Sequence, residues 1–142
     1  AAPLRQQIVP TSKLPTLEQI LTKAVEAKAS DVHLHAGAPL QMRVGGALKE
    51  LKLGVIERDA AQMLLFQLLN EEQKAALIKN RDLDSAIQLP TGRFRANIHP
   101  QQRGWDGVFR PIPPEPPSLE SLGLPKLLER LTATVGNGVL LV

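Results

Sequence analysis

The chain has 142 residues, of which 43% are apolar and 22% are charged, a composition typical of a globular domain and not of a disordered segment. It contains no cysteine, which excludes disulfide scaffolds, thiolate metal sites and cysteine nucleophiles. No apolar run approaches the roughly 20 residues that a membrane-spanning helix needs. The net charge is only +3, but residues 92–110 alone carry four arginines and one acidic residue, so an anionic partner at this segment is one candidate role.

The first half of the chain predicts a helix followed by three strands. Residues 1–15 hold three prolines and predict a poorly ordered arm. A helix is predicted next, because Thr16 and Gln19 have the spacing of a capping box and the apolar residues of 17–25 share one face. Period-two alternation predicts strands over residues 31–35, 40–44 and 48–53, with a two-residue hairpin turn at Gly45 and Gly46.

Two helices and three further strands are predicted in the next segment. One helix is indicated by an apolar stripe made of Ala61, Leu64, Leu65, Leu68 and Leu69. Asn70 and Gln73 predict a capping box at the start of the second helix. Alternation predicts strands over 83–89, 93–99 and 105–112, with turns at 90–92 and 100–104. The prediction for residues 16–112 is therefore an α+β domain with antiparallel strands.

The end of the chain predicts a domain boundary and the start of a second domain. Five of the twelve prolines lie in residues 111–117, and such a stiff run cannot enter a sheet interior. Residues 113–134 are predicted as a proline-rich linker with short helices. The apolar run at 139–142 predicts, within 135–142, the first strand of a parallel α/β sheet. The missing Met at the start and the apolar end predict that the chain is a piece of a longer protein.

Three polar residues of the first predicted strand form one candidate site. Asp31, His33 and His35 share a strand face by the period-two rule, and two histidines with a carboxylate could bind zinc. A polar strand face with hydrogen-bonded histidines is the commoner outcome, so no metal site is predicted. A Ser-His-Asp triad is also conceivable from composition, but no nucleophile-elbow motif is present.

The arginines of residues 92–110 form a second candidate site with three interpretations. Arg93 and Arg95 share a strand face, and Arg110 lies on the strand that should return beside it. The set could be a solvated basic face, which is the usual fate of charged strand residues. It could bind nucleic acid, although the nearby aromatic residues have the phase of core residues. It could instead donate to nucleotide phosphates held by another domain or subunit, as an arginine finger does.

Several motifs resemble those of the type II/IV secretion ATPases. Residues 29–34 (Ala-Ser-Asp-Val-His-Leu) resemble the Ala-Ser-Asp-x-His motif of that family. Residues 92–97, followed by 101–104 and 108–113, are similar to the retraction ATPases of twitching motility, the PilT type. Residues 118–124 resemble the linker helix of these enzymes, and 138–142 resemble the strand before their Walker A loop. The resemblance covers about residues 16–142.

The resemblance implies the domain organisation and the setting of the parent protein. Residues 16–112 would be a PAS-like N-terminal domain, and 135–142 the first strand of a RecA-like ATPase domain. The parent would be a homohexameric motor at the cytoplasmic face of the bacterial inner membrane, hydrolysing ATP with Mg²⁺ to retract a type IV pilus. Its partners would be its own RecA-like domain, neighbouring subunits and the inner-membrane platform protein, with no nucleic acid. The chain lacks a P-loop and should be inactive alone, with no tightly bound cofactor.

The resemblance also assigns roles to arginines. Two arginines of the family's N-terminal domain reach the nucleotide phosphates, and their spacing matches Arg95 and Arg110. Arg93 and Arg103 match other basic positions and are expected near nucleotide. His35 stands where the retraction enzymes usually have Ser, so a pilus-assembly or secretion ATPase is the alternative. A stand-alone PAS-like sensor or interaction domain and a nucleic-acid-binding module are the rivals from other classes.

Overall fold

The computed structural model describes residues 13–134 and 136–138 of the chain. The chain divides into two compact units between Ile112 and Pro113. The predicted arm at 1–15 lies almost wholly outside the described residues, and the apolar run at 139–142 of the predicted last strand lies outside them. No helix of the described part of the chain is long and apolar enough to cross a membrane.

The first unit contains three helices and six strands among its described residues. In chain order these are α1 (Leu17–Glu26), β1 (Asp31–His35), β2 (Ala38–Val44), β3 (Ala47–Ile56), α2 (Arg58–Phe66), α3 (Glu71–Asn80), β4 (Leu83–Leu89), β5 (Gly92–Gln101) and β6 (Gly104–Ile112). The predicted α+β class, with antiparallel strands, is confirmed. Both predicted capping boxes are present, with Thr16 and Gln19 at α1 and Asn70 and Gln73 at α3.

All six strands form one antiparallel sheet in the order β3-β2-β1-β6-β5-β4. Two three-stranded meanders therefore meet in its centre, where β1 pairs with β6 and Val32 stands opposite Phe109. The predicted hairpin between β2 and β3 is present, with φ of +58° at Gly45 and +80° at Gly46. Positive φ at both central residues is what a twisted two-residue hairpin requires, and glycine meets it without steric cost.

One face of the sheet packs against the helices and forms the core. Phe94, Ala96 and Ile98 of β5 are fully buried, as the alternation of that strand predicts. They belong to one cluster with the inward faces of the helices, represented by Leu21 of α1 and Leu65 of α2. Because the strand period is two, the residues between the buried ones point to the opposite face.

Two boundaries differ from the sequence-based predictions. Helix α2 ends at Phe66, so Leu68 and Leu69 of the predicted stripe follow the helix, although Leu69 is still buried. The β5–β6 hairpin is tighter than the predicted turn over 100–104, because Pro100 pairs with Trp105 and only two residues form the turn. A proline is tolerated there because it lies beside the end of the ladder.

The second unit is described from Pro113 to Thr134 and over residues 136–138. Residues 118–123 form a turn in which the Ser118 Oγ accepts a hydrogen bond from the Ser121 backbone N–H at 3.1 Å. Helix α4 (Leu127–Thr134) follows, and none of its residues is buried.

Candidate functional site

The face of the sheet away from the helices carries a row of charged side chains across five strands. The row consists of Arg43 on β2, Asp31 on β1, Arg110 on β6, Arg95 on β5 and Asp84 on β4. The strand register aligns these residues, since Asp31 stands opposite Arg43 and Arg95 stands opposite Arg110. We call these five residues the charged row.

Arg95 and Arg110 are direct cross-strand neighbours in this row, and each is bound by its own aspartate. Arg95 donates from Nε and Nη2 to the two carboxylate oxygens of Asp84, at 3.0 and 2.7 Å. Arg110 donates from Nε and Nη2 to Oδ1 of Asp31, at 3.1 and 2.9 Å. Both arginine side chains remain more than 60% exposed, so N–H groups not used by the aspartates face solvent.

Asp31 is the buried anchor of the row. Only 8% of the residue is exposed, and its Oδ2 accepts from the Ser30 hydroxyl at 2.9 Å and lies 3.6 Å from the Arg43 Nε. Burial by itself raises the pKa of Asp31, but the hydrogen bonds from Arg110 and Ser30 and the nearby positive charge bring it below the usual value. Asp31 is therefore an anion at neutral pH, held by the preceding Ser30 and by arginines of the two strands that flank β1.

Asp84 differs from Asp31 in its surroundings. It lies on the edge strand β4, its side chain is 43% exposed, and Arg95 is its ion-pair partner. The hydrogen bonds from Arg95 lower the pKa of Asp84, and the same pair raises the pKa of Arg95. Asp84, Arg95, Asn97, Val108 and Arg110 line a surface cavity of about 210 Å³.

The histidines of β1 point to the same face but are not arranged as a metal site. His35 is engaged by Asp106, with Nδ1 2.7 Å from Oδ2, and its ring stacks on that of His33 with centroids 5.9 Å apart. Burial is the main cause that lowers the pKa of His33, so this ring is neutral at neutral pH. Within residues 13–134 and 136–138, no three His, Asp or Glu side chains are placed to hold a metal ion.

The four predicted arginines separate into two groups in the structure. Arg93 stands two residues before Arg95 on β5, opposite Ile112, on the face that carries the charged row. Arg103 lies in the β5–β6 turn and lines a different cavity of about 290 Å³, together with His35 and Asp106. The structure therefore brings Arg95 and Arg110 together and places Arg103 elsewhere.

Sequence reasoning named Asp31 only beside His33 and His35 and did not single out Asp84, so it missed both aspartates as partners of the arginines. Ala86 is the cross-strand partner of Arg95, and Asp84 lies two residues before Ala86 on the same strand face. Aligning β4 and β5 as a hairpin could therefore have placed Asp84 within reach of Arg95. Asp31 pairs with a residue 79 positions away in the sequence. Its contact with Arg110 depends on β1 meeting β6, which periodicity does not indicate.

Comparison with known proteins relates this sheet and its motifs to one group of ATPases. No family model matches the chain. The type IV pilus retraction ATPase PilT of Pseudomonas aeruginosa is 31% identical over 127 residues, which is 89% of this chain and 37% of PilT. The crystal structure of the pilus retraction motor PilT with bound ADP superposes with a TM-score of 0.72 at 32% identity, over 84% of this chain and 36% of that one. The chain is homologous to the N-terminal region of PilT-type ATPases.

Other relatives agree with this placement. The type IV pilus ATPase PilU of P. aeruginosa is 29% identical over 126 residues, which is 88% of this chain and 33% of PilU. The Legionella pneumophila ATPase DotB shares the fold, with a TM-score of 0.61 at 20% identity, over 88% of this chain and 36% of DotB. The chain matches the N-terminal region of these proteins and spans about a third of their length. The family predicted from the motifs is confirmed.

Proposed function

We propose that this chain is the N-terminal domain of a hexameric motor that hydrolyses ATP to retract a type IV pilus. Its role there is to form contacts with the RecA-like domain and with neighbouring subunits, and to direct Arg95 and Arg110 at the phosphates of bound nucleotide. The motor works in the cytoplasm, at the inner face of the inner membrane, against the platform protein of the pilus. The observation that carries the proposal is the side-by-side placement of Arg95 and Arg110 on the open sheet face.

The donor set of this pair suits a phosphate chain. Two adjacent guanidinium groups offer planar, permanently charged N–H donors, which is the chemistry preferred for phosphate oxygens. ATP would supply the charged phosphates, and Arg95 and Arg110 would neutralise charge that develops on them during transfer. Mg²⁺ would be held by the ATPase domain, because Asp31 and Asp84 in this chain are occupied by arginines.

The proposal is tested in the full-length parent protein by substituting the two arginines. We expect Arg95→Ala and Arg110→Ala each to lower the ATPase turnover at saturating ATP at least tenfold, since arginines that contact transferring phosphates contribute about 10³–10⁵ in other enzymes. Arg81→Ala is the matched control, because Arg81 is an exposed arginine at the C-terminal end of α3. Near-normal turnover in both variants would contradict the proposal.

Retraction is separated from pilus assembly or effector secretion by a cellular measurement. Loss of the parent gene should leave cells with surface pili and without twitching movement. Cells without pili would indicate an assembly motor, and piliated, motile cells with a secretion defect would indicate a DotB-like role. A stand-alone sensor would require a ligand cavity lined by polar groups in the core, but the core residues described between the sheet and helices are buried aliphatic and aromatic side chains.

A further inference from the structure

The two aspartates of the charged row differ in how firmly they hold their arginines. Asp31 accepts hydrogen bonds from Arg110 and Ser30, has Arg43 nearby, and is 8% exposed. Asp84 has the hydrogen bonds of Arg95 and lies on an exposed edge strand. A carboxylate buried among several donors is costly to release, whereas an exposed ion pair contributes little and exchanges easily.

This asymmetry has a consequence for any anion that enters the 210 Å³ cavity between the arginines. Arg110 is already oriented by a fixed partner, so an incoming phosphate can bind its free N–H edge without reorganising it. Arg95 offers its Nε and Nη2 to Asp84, so an anion that needs those donors must displace the carboxylate. Asp84 lines the same cavity and adds negative charge where the anion would sit.

We infer that Asp31 is a positioning residue that fixes Arg110 for phosphate binding, and that Asp84 is a competing carboxylate that phosphate displaces from Arg95. This inference deepens the proposed function, since it assigns the regulation of the same arginine pair. Within the charged row, Arg110 is then a donor with a fixed orientation, and Arg95 is a donor that exchanges Asp84 for phosphate. Before phosphate binds, Asp84 neutralises Arg95. When phosphate binds, Asp84 is released to solvent at the sheet edge.

The inference predicts opposite effects for two substitutions that remove the same charge. The probe is inorganic tripolyphosphate, titrated into the 142-residue chain at low ionic strength, where exposed charges are least screened. Asp84→Asn should lower the dissociation constant of tripolyphosphate about two- to fivefold, the range expected for removing an exposed ion pair. Asp31→Asn should raise the same constant at least threefold, because Arg110 loses its orientation. Glu26→Gln, an exposed charge removal on α1, is the control and should change it less than 1.5-fold.

A general electrostatic field would give a different result, since removing either carboxylate would then strengthen anion binding. Equal tightening by Asp84→Asn and Asp31→Asn, or no change in either, would overturn the inference. So would a wild-type chain that does not bind tripolyphosphate. The proposed function fails separately, when Arg95→Ala and Arg110→Ala leave the turnover of the full-length protein intact.

A measurement on the wild-type chain keeps the test independent of folding in the variants. The Nε–H signals of Arg95 and Arg110 can be followed by NMR during the titration. The Arg95 signal should shift strongly as its bond to Asp84 breaks, while the Arg110 signal, bonded to Asp31 throughout, should shift by less than half as much. The reverse order would contradict the assignment of the fixed and exchangeable donors.

Discussion

Arg95 and Arg110 stand directly opposite each other on adjacent strands, and each is bound to a different aspartate. Like charges at such a cross-strand position repel each other and destabilise a sheet. Asp84 and Asp31 offset this repulsion from the two sides of the pair. The side-by-side placement of two cations is in itself unfavourable for the sheet, and it agrees with the proposal that the pair binds an anion.

The first prediction concerns the stability of the two ion pairs. Asp31→Ala should lower the free energy of unfolding by about 1–3 kcal/mol, because it removes a buried carboxylate together with the hydrogen bonds that it accepts from Ser30 and Arg110. Asp84→Ala should have a much smaller effect, since that pair is exposed to solvent. Urea denaturation of the two variants compares them directly. An effect of Asp84→Ala equal to that of Asp31→Ala would be inconsistent with the burial difference.

The second prediction concerns the pH dependence of stability through His33. Burial lowers the pKa of this histidine below 6.5, the usual value for the unfolded chain. As the pH falls through 6.5, the unfolded chain binds a proton that the folded chain does not, so stability falls with decreasing pH until the lowered pKa is reached. Above about pH 7.5 both states are neutral and this contribution disappears.

His33→Phe keeps an aromatic ring beside His35 and removes the titration. Urea denaturation between pH 7.5 and 5.0 should therefore show a shallower loss of stability in this variant than in the wild type. Gln88→Ala is the control, because it is an exposed substitution on the edge strand β4 that neither adds nor removes a titratable group, and it should leave the slope unchanged. Parallel slopes for wild type and His33→Phe would refute the prediction.

Local signals predicted the elements of this fold well because they act within a few residues. The capping boxes at Thr16 and Asn70 and the paired glycines at 45 and 46 are satisfied by neighbours in the sequence. The alternation of β5 placed Phe94 in the core and Arg95 on the open face. These features depend on backbone geometry that the residue types themselves favour.

The site was only half predictable because its chemistry depends on which strands meet. Arg95 and Arg110 were found from their spacing and family resemblance, but the contact of Arg110 with Asp31 requires the β1–β6 pairing. Asp106 was likewise missed as the partner of His35, although it takes hydrogen bonds from that ring and from the Ala36 backbone N–H. A buried carboxylate with two donors is fixed by tertiary structure, and a single sequence carries no signal for it.

The third prediction compares two glutamines that occupy the same capping position. Gln19 and Gln73 each accept from the backbone N–H of their N-cap residue, but Gln73 also donates from Nε2 to the Ser85 Oγ at 3.2 Å and so ties α3 to β4. Gln73→Ala should therefore destabilise the domain by about 1–2 kcal/mol, and Gln19→Ala by about half as much. Urea denaturation measures both. When both glutamine substitutions are repeated in a Ser85→Ala background, most of the difference between their destabilising effects should disappear. A difference that persists would show that the hydrogen bond between Gln73 and Ser85 is not its cause.

The fourth prediction concerns the close approach of α2 to the centre of the sheet at Gly107. A Cβ atom at this position would collide with Cδ2 of Leu65 and would lie 3.1 Å from Cε2 of Phe109, and both side chains are fully buried. Gly107→Ala should therefore destabilise the domain by about 1–3 kcal/mol, because a packed core cannot absorb an extra methyl group without strain.

A double-mutant cycle with Leu65→Ala identifies the contact that causes this strain. Leu65→Ala alone should cost about 2–5 kcal/mol, but it removes the atom that the new methyl group meets. The double variant should then be more stable than the sum of the two single effects by at least about 1 kcal/mol. Gly136→Ala is the control, since no atom of the described residues beyond its chain neighbours lies within 4 Å of its added Cβ, and it should be nearly neutral. Additive effects of Gly107→Ala and Leu65→Ala would mean that the helix does not press on the sheet at this point.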